Sequence, residues 1–468
     1  MKDINRREFL KKSGAAVAAT ALVGCGAKQA SDLNFDPAGH HTGEIPTDKM
    51  TYRVNPKQGD KVSILGYGWM RLPTTKGGSA RTQENVNEDV IDQEQCNRLA
   101  KYALDHGVNY FDTSPAYCRG KSEEALGIAL EASGYKRDQY FIATKLSNFA
   151  QHQWSFEEGK AMFERSLQYL KTDYVDYLLL HSVGGDMHSL RQRYLENGLL
   201  DWLAEQREAG RIRNLGFSFH GQADIYDYML SMHDKYHWDF VQIQANYCDW
   251  HNKEDKGRDG EYLYTELEKR GIPVVIMEPL LGGRLSKVPD HVVAHFKQSN
   301  PDNSVASWAF RYIGSKPAVL TVLSGMTYME HLEDNLRSYC PLVPLTEEEQ
   351  EWLEGETASL IKSYPTIPCN DCKYCMPCPY GLDIPGTLLH YNKCVNTGNV
   401  PESQQAKNYQ EARRAFLVGY DRSVPRLRQA DHCVGCRECV SHCPQNIDIP
   451  RELERIHHFV EQLKQGTL

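Results

Sequence analysis

Eight of the fourteen cysteines in this chain of 468 residues lie in two runs near its C-terminus. The first run reads C-x2-C-x2-C-x2-C-P and the second reads C-x2-C-x2-C-x3-C-P. Three thiolates at every third position let a short loop wrap one metal–sulfur cube, and a fourth cysteine before proline typically binds the other cluster of a pair. The sequence therefore predicts two 4Fe–4S clusters, held by Cys369, Cys372, Cys375, Cys378, Cys433, Cys436, Cys439 and Cys443.

Zinc and disulfides are the alternative uses of such cysteines. Zinc sites usually pair two separated C-x2-C units, and disulfides do not favour so tight a spacing. The two runs share a related tail, residues 378–385 and 443–450, so they form an internal repeat. We expect the first three cysteines of each run to share a cluster with the last cysteine of the other run. The first run departs from the usual pattern because only two residues precede Cys378.

A second set of reactive side chains lies in the middle of the chain. Asp112, Lys145 and His181 end three successive apolar runs, and Tyr117 follows Asp112 by five residues. A tyrosine has a pKa of about 10, and a neighbouring lysine ammonium is expected to lower it. An aspartate can hold that lysine, while a histidine can orient a substrate oxygen. Taken singly, the four could be a turn residue, a loop tyrosine, a solvated lysine and a core histidine. Together they predict an acid–base site.

The elements that position these four side chains are eight apolar, β-rich runs separated by amphipathic segments. Such an α/β alternation over about three hundred residues predicts a (β/α)₈ TIM barrel, whose chemistry lies at the C-terminal ends of its strands. An open doubly wound sheet is the rival, but no G-x-G-x-x-G follows the first run. The runs are Val62–Leu72, Asn109–Asp112, Tyr140–Lys145, Val175–His181, Ile212–Phe219, Phe240–Tyr247, Pro273–Pro279 and Val319–Gly325.

Composition limits the possible partners of the chain. A hydrophobic content of 41% and a charged content of 25% are those of a globular protein, and the net charge is −9. Without a long basic run, nucleic-acid binding is not expected. No segment reaches the roughly 20 apolar residues of a transmembrane span.

The N-terminus predicts export. Arg6 and Arg7 precede Phe9 and Leu10, and a short, small-residue apolar stretch follows, as in the twin-arginine signal of bacteria. Residues 22–25 also resemble a lipoprotein processing box, with Cys25 as the lipidated residue and a membrane contact. An unprocessed basic tail is the alternative. We therefore expect a protein in the periplasm or on the outer face of the cytoplasmic membrane. Cluster proteins should fold before export, which the twin-arginine route permits.

These patterns divide the chain into five parts. We expect a signal over residues 1–25, a linker over 26–50 and the barrel over 51–345. A linking helix, opened by a capping-box pattern at Thr346, is expected over 346–364. A small, mostly α-helical, ferredoxin-like iron–sulfur domain is expected over 365–468.

The middle of the chain resembles the aldo-keto reductase family over essentially its whole length. The two cysteine runs match the branch of that family that carries a ferredoxin-like domain. The segments that carry the resemblance are Tyr110–Tyr117 with Gly120–Glu123, Ala143–Lys145, Leu180–His181, Gly216–Ser218 and Ser324–Asn335. The resemblance implies that Tyr117 is the general acid, that Lys145 and Asp112 support it, and that His181 lies at the substrate carbonyl.

The resemblance also implies a nicotinamide cofactor, NAD(P). Gln244 falls where the family's glutamine holds the nicotinamide carboxamide, and Ser218, Ser324 and Asn335 fall near its other cofactor-binding positions. The family often stacks an aromatic ring on the nicotinamide after the seventh strand, but this chain has the sequence M-E-P-L at residues 277–280. No basic residues that would select a 2′-phosphate are evident, so the choice between NAD and NADP stays open.

Two functions follow from these patterns. The first is an oxidoreductase that reduces a small-molecule carbonyl or oxidises an alcohol at Tyr117, coupled or not to the clusters. The alternative is an iron–sulfur electron-transfer protein whose barrel binds a ligand or partner without hydride chemistry. A redox partner protein or a quinone-linked electron carrier is an expected partner in either case.

Overall fold

The computed structural model describes residues 44–80 and 90–468, and these residues fall within one compact unit. The predicted twin-arginine signal, the predicted lipidation at Cys25 and most of the predicted linker lie outside the described residues. The end of that linker is described, and Ile45 and Met50 are buried in the barrel core. Within the described residues, no helix is long and apolar enough to cross a membrane.

Eight parallel strands close into a barrel, which confirms the predicted fold class. The chain begins with an antiparallel pair, β1 (Tyr52–Val54) and β2 (Lys61–Ser63), and a second short pair, β4 (Leu72–Pro73) and β5 (Ser79–Ala80), follows the first barrel strand. The barrel strands are β3 (Leu65–Gly68), β6 (Tyr110–Asp112), β7 (Phe141–Leu146), β8 (Val175–Val183), β9 (Ile212–Phe219), β10 (Phe240–Gln244), β11 (Val274–Met277) and β12 (Val319–Ser324). They close the barrel in the order β10-β11-β12-β3-β6-β7-β8-β9.

Helices surround the barrel and cover the outer faces of its strands. Every residue of β7 is buried, as expected for a parallel strand with both faces covered. Side-chain caps fix several helix starts; for example, the Ser155 hydroxyl accepts from the Glu158 amide. The α-helices in this region are Gln93–Asp105, Ser122–Ser133, Phe156–Tyr169, Met187–Leu190, Leu199–Glu208, Ala223–Ser231, His233–Tyr236, Gly260–Glu268, Asp290–Ser299, Val305–Gly314 and Met329–Tyr339.

A broken helix leads from the barrel to the C-terminal region. Its segments are Glu347–Trp352, a π-helical turn at Leu353–Thr357 and Ala358–Lys362. The predicted capping box is present: Thr346 accepts from the Glu349 amide, and the Glu349 carboxylate accepts from the Thr346 amide.

The C-terminal region has three helices, Ile384–Asn396, Tyr409–Ser423 and Ile449–Gln465, and its own apolar core. The repeated sequence D-I-P explains two of the helix starts. Asp383 and Asp448 occupy the N-cap positions, and each is followed by isoleucine and proline in the first turn. Each cysteine run is therefore a loop that ends in a helix; the Asp383 carboxylate caps the first by accepting from the Gly386 amide, whereas Asp448 makes no side-chain cap bond to the second.

Candidate active site and cluster sites

A buried ion pair lies at the centre of the barrel mouth. Nζ of Lys145 contacts both carboxylate oxygens of Asp112, at 2.5 and 2.6 Å, and donates to the Thr113 carbonyl oxygen at 2.8 Å. Lys145 is completely buried. Burial raises the pKa of Asp112 and lowers the pKa of Lys145, while their mutual contact opposes both shifts. The predicted role of Asp112 in holding Lys145 agrees with this geometry.

Tyr117 lies over this pair in the loop after β6. Nζ of Lys145 is 4.9 Å from the centroid of the Tyr117 ring. The predicted lowering of the Tyr117 pKa is wrong as a net effect, because burial outweighs the influence of the lysine ammonium. Burial, followed by the nearby Tyr374 and Asp112, raises that pKa well above its usual value. Lys145 directs its ammonium to the Asp112 carboxylate, and the Tyr117 hydroxyl is therefore a proton donor at neutral pH.

His181 completes the group. Its ring lies edge-on to that of Tyr117, with centroids 5.7 Å apart. Nδ1 lies 2.5 Å from the hydroxyl of Ser147 and 3.3 Å from that of Ser114. Burial lowers the pKa of His181 well below its usual value, so the imidazole is neutral at neutral pH. When Ser147 donates to Nδ1, the ring proton resides on Nε2, where it can be donated to a substrate oxygen.

Sequence reasoning missed the residues that hold His181 in place. The buried guanidinium of Arg193 donates to the His181 carbonyl oxygen at 2.7 Å, and it also lies 5.1 Å from the centroid of the Phe149 ring. Phe149 is in turn 4.9 Å from the His181 ring. No motif marks Arg193, because it comes from a helical segment after β8 that folds back over the mouth.

Tyr374, between two cluster cysteines, also reaches this site. Its ring is 6.2 Å from that of Phe149, and after burial it is the largest influence that raises the pKa of Tyr117. A cleft of about 920 Å³ opens beside it, bounded by loops of the barrel and by both cysteine runs. Through Tyr374, the C-terminal region thus contacts the aromatic group beside His181.

The four predicted cofactor-binding residues are buried, and each has a partner within the protein. Three of them lie at or near the ends of strands, whereas Asn335 lies in the helix Met329–Tyr339. The Ser218 hydroxyl accepts from the Ser182 amide at 2.8 Å. The amide nitrogen of Asn335 donates to the Ser324 hydroxyl at 2.9 Å. Oε1 of Gln244 accepts from the side chain of Gln445 at 3.0 Å.

The eight run cysteines separate into two groups, as the predicted sharing requires. The thiol of Cys375 has Cys369, Cys443 and Cys439 as its electrostatic neighbours, and that of Cys372 has Cys369 and Cys375. The neighbours of Cys439 are instead Cys436, Cys433 and Cys378. These neighbours agree with the predicted sharing, except that Cys439 also lies near Cys375.

The donor sets fit clusters better than single ions. Across residues 44–80 and 90–468, no three His, Cys, Asp or Glu side chains converge to hold one metal ion. A four-iron cube spaces its thiolates more widely than one ion does, and thiolates are its usual ligands. The run cysteines within this described part form no disulfide. The two groups differ in depth: Cys369 is buried, whereas Cys436 is exposed.

Comparisons with known proteins agree with this architecture. The profile described as "Aldo/keto reductase family" matches residues 65–355. The chain belongs to the aldo/keto reductase family. A second profile, "4Fe-4S dicluster domain", matches residues 368–447 and covers both cysteine runs. This aldo/keto reductase is therefore an oxidoreductase with a C-terminal iron–sulfur domain.

Three curated relatives illustrate the range of the family. L-galactose dehydrogenase of Arabidopsis thaliana is 26% identical over 67% of this chain and 94% of its own length. The uncharacterized oxidoreductase YqkF of Bacillus subtilis is 27% identical over 63% of this chain and 93% of its own. D-arabinose 1-dehydrogenase of Saccharomyces cerevisiae is 28% identical over 42% of this chain and 52% of its own.

A solved structure supports the fold. The holo form of the aldo-keto reductase AKR11C1 of Bacillus halodurans superposes with a TM-score of 0.51 and 24% identity, covering 65% of this chain and 95% of its own.

Proposed function

We propose that the barrel reduces a small-molecule carbonyl, or oxidises the corresponding alcohol, with Tyr117 as the general acid or base. The observation that carries this proposal is the convergence of Tyr117, the Lys145–Asp112 pair and His181 in one buried group. Four side chains from three strand ends and their loops have no structural need to meet around a tyrosine ring. Their meeting is what proton transfer to a substrate oxygen requires.

The chain's own residues handle the proton. Reduction of a carbonyl to an alcohol adds two electrons and two protons. In the proposal, the Tyr117 hydroxyl gives one proton to the substrate oxygen, and Nε2 of His181 donates a hydrogen bond that orients it. The ammonium of Lys145 stabilises the phenolate that forms, because the two groups lie in a water-poor site. The eight run cysteines would hold two iron–sulfur clusters, which would supply the two electrons one at a time from an external carrier, and the second proton would come from solvent.

The proposal includes export by the twin-arginine route to the periplasm or the outer face of the cytoplasmic membrane, with a lipid on Cys25. It rests on the arginine pair and the processing-box pattern of residues 22–25. A redox partner protein or a quinone-linked carrier would then exchange electrons with the clusters.

The experiment that tests this function compares Tyr117→Phe with the control Tyr169→Phe, whose ring is exposed at the end of a barrel helix. Anaerobic protein is screened with sugars, since two relatives are named as sugar dehydrogenases, and with simple aldehydes and alcohols. Dyes and nicotinamides serve as redox partners. We expect Tyr117→Phe to lower turnover by about 10²-fold or more and Tyr169→Phe to leave it unchanged.

The alternative function is an electron-transfer protein with a non-catalytic barrel. It is favoured by the close approach of the C-terminal region to the barrel mouth, where Tyr374 and Gln445 meet barrel residues. Unchanged turnover in Tyr117→Phe, with electron transfer between dyes retained, would contradict the catalytic proposal and support this one.

A further inference from the structure

The end of β10 is capped by a side chain of the C-terminal region. The amide of Gln445 donates to Oε1 of Gln244 at 3.0 Å, and both side chains are buried. The amide nitrogen of Gln244 faces Asp249, at 3.5 Å. The family resemblance assigns Gln244 to the carboxamide of a nicotinamide. In this chain a protein carboxamide, that of Gln445, already makes that hydrogen bond.

The end of β11 is bound to the same region. Glu278 follows this strand with a φ of 55°, and its carboxylate accepts from the Asn370 amide at 2.5 Å and from Gln445 at 3.4 Å. Burial raises the pKa of Glu278 to about 7. A carboxyl group tied to the C-terminal region thus lies next to the position where the family often stacks an aromatic ring on the nicotinamide.

The loop after β11 leaves no space in front of it. A Cβ on Gly282 would lie 2.3 Å from the carbonyl oxygen of Asn370, so the two backbones are in direct contact. Arg71, in the loop after β3, donates to the same carbonyl oxygen at 2.9 Å and lies 3.7 Å from the Asp371 carboxylate. Two loops of the barrel mouth therefore hold the first cysteine loop from opposite sides.

We infer that residues 370–374 and Gln445 occupy the nicotinamide position of the fold, and that this protein binds no nicotinamide dinucleotide at its barrel mouth. The residues present do not fit the cofactor that the resemblance implies. Ser324 and Asn335, near the expected binding positions, are bonded to each other. The inference goes beyond the proposed function, because it requires the two electrons of that reaction to come from a carrier other than a nicotinamide bound in the barrel.

The test measures binding rather than turnover. The full protein is purified anaerobically with both clusters loaded, an aliquot is denatured, and the released small molecules are identified. NADH and NADPH are then titrated into the native protein by calorimetry and equilibrium dialysis. We expect no stoichiometric dinucleotide to be released and no saturable binding up to about 1 mM of either nucleotide, which corresponds to an affinity weaker than about 4 kcal/mol.

Two results would overturn the inference. One is a dinucleotide released at one equivalent per chain. The other is saturable one-to-one binding of NADH or NADPH that Gln244→Ala weakens by about tenfold or more. Gln244→Glu, which leaves the size of the side chain nearly unchanged, serves as the second variant in this measurement. Because neither readout depends on turnover, a failure here is distinguishable from a failure of Tyr117 as the acid.

Discussion

At the scale of single residues, the acid–base group depends on how burial and charge compensate each other. The buried Lys145 ammonium is neutralised by Asp112, whose two carboxylate oxygens accept from it, and the Thr113 carbonyl oxygen accepts a third hydrogen bond. Burial leaves Tyr117 protonated rather than activated as a phenolate. The residue types were sufficient to predict the group, whereas the direction of the tyrosine's pKa depended on the depth of the site.

A buried carboxyl beside this group should make stability depend on pH. Glu123 is buried, accepts a hydrogen bond from Thr144, and has a pKa raised by burial to about 7 from its usual 4.5. Between these two values the unfolded chain loses the proton while the folded chain keeps it. Stability therefore falls as pH rises from about 4.5 to 7 and changes no further above that.

Glu123→Gln removes this dependence, since glutamine keeps the acceptor for Thr144 and carries no titrating proton. We expect the free energy of unfolding of the wild type, relative to that of the variant, to fall by about 2 kcal/mol between pH 5 and pH 7. Denaturant unfolding at each pH measures it. A difference that is constant across this range would contradict the assignment.

At the scale of elements, each of the two cysteine runs forms a loop that a helix terminates, and we expect the loops to exchange their last cysteines. The D-I-P tails set the start of the helices at Ile384 and Ile449. These starts place Cys443 next to the first run and Cys378 next to the second. Cluster assembly therefore requires both loops at once, which makes the C-terminal region one folding unit with its metal.

Shared ligation predicts non-additive iron loss. Cys372→Ala and Cys443→Ala should each lower the iron content by about half of eight atoms, and the double variant should lose no more than either alone. Iron analysis and electron paramagnetic resonance of the reduced protein measure this. Cys394→Ala, in the helix Ile384–Asn396 but outside both runs, should retain all the iron. Loss of both clusters only in the double variant would refute the shared ligation.

At the scale of the whole molecule, the C-terminal region is part of the barrel's site as well as an addition to it. Asn370 and Gln445 bond to strand ends, and Tyr374 joins the aromatic group around His181. The first group of cysteines lies at this contact, and the exposed Cys436 belongs to the second. Electrons from an external carrier would therefore meet the second cluster first.

Substitutions at two adjacent glycines can distinguish the cost of disturbing this contact from the cost of backbone strain alone. Gly282 and Gly283 both have positive φ, at 66° and 98°, but an added Cβ meets Asn370 only at Gly282 and has open space at Gly283. Gly283→Ala should cost about 1 kcal/mol from its backbone conformation alone. Gly282→Ala should cost an additional 1–3 kcal/mol, roughly, because the C-terminal loop must shift.

Thermal unfolding and hydrogen exchange of residues 370–374 measure these effects. We expect faster exchange in that loop for Gly282→Ala and not for Gly283→Ala. Equal stability losses and equal exchange in the two variants would contradict the close packing of the C-terminal loop on the barrel.

The sequence by itself determined the barrel, the two clusters and the four acid–base residues, because each is encoded locally: apolar runs of strand length, thiols at fixed spacing and polar side chains at strand ends. It could not reveal Arg193, Asn370, Tyr374 or Gln445 as neighbours of the site. Those residues reach the barrel mouth only through the docking of distant loops, and no local pattern records such contacts. Tertiary structure alone therefore decided that Gln244 faces a glutamine of the same chain.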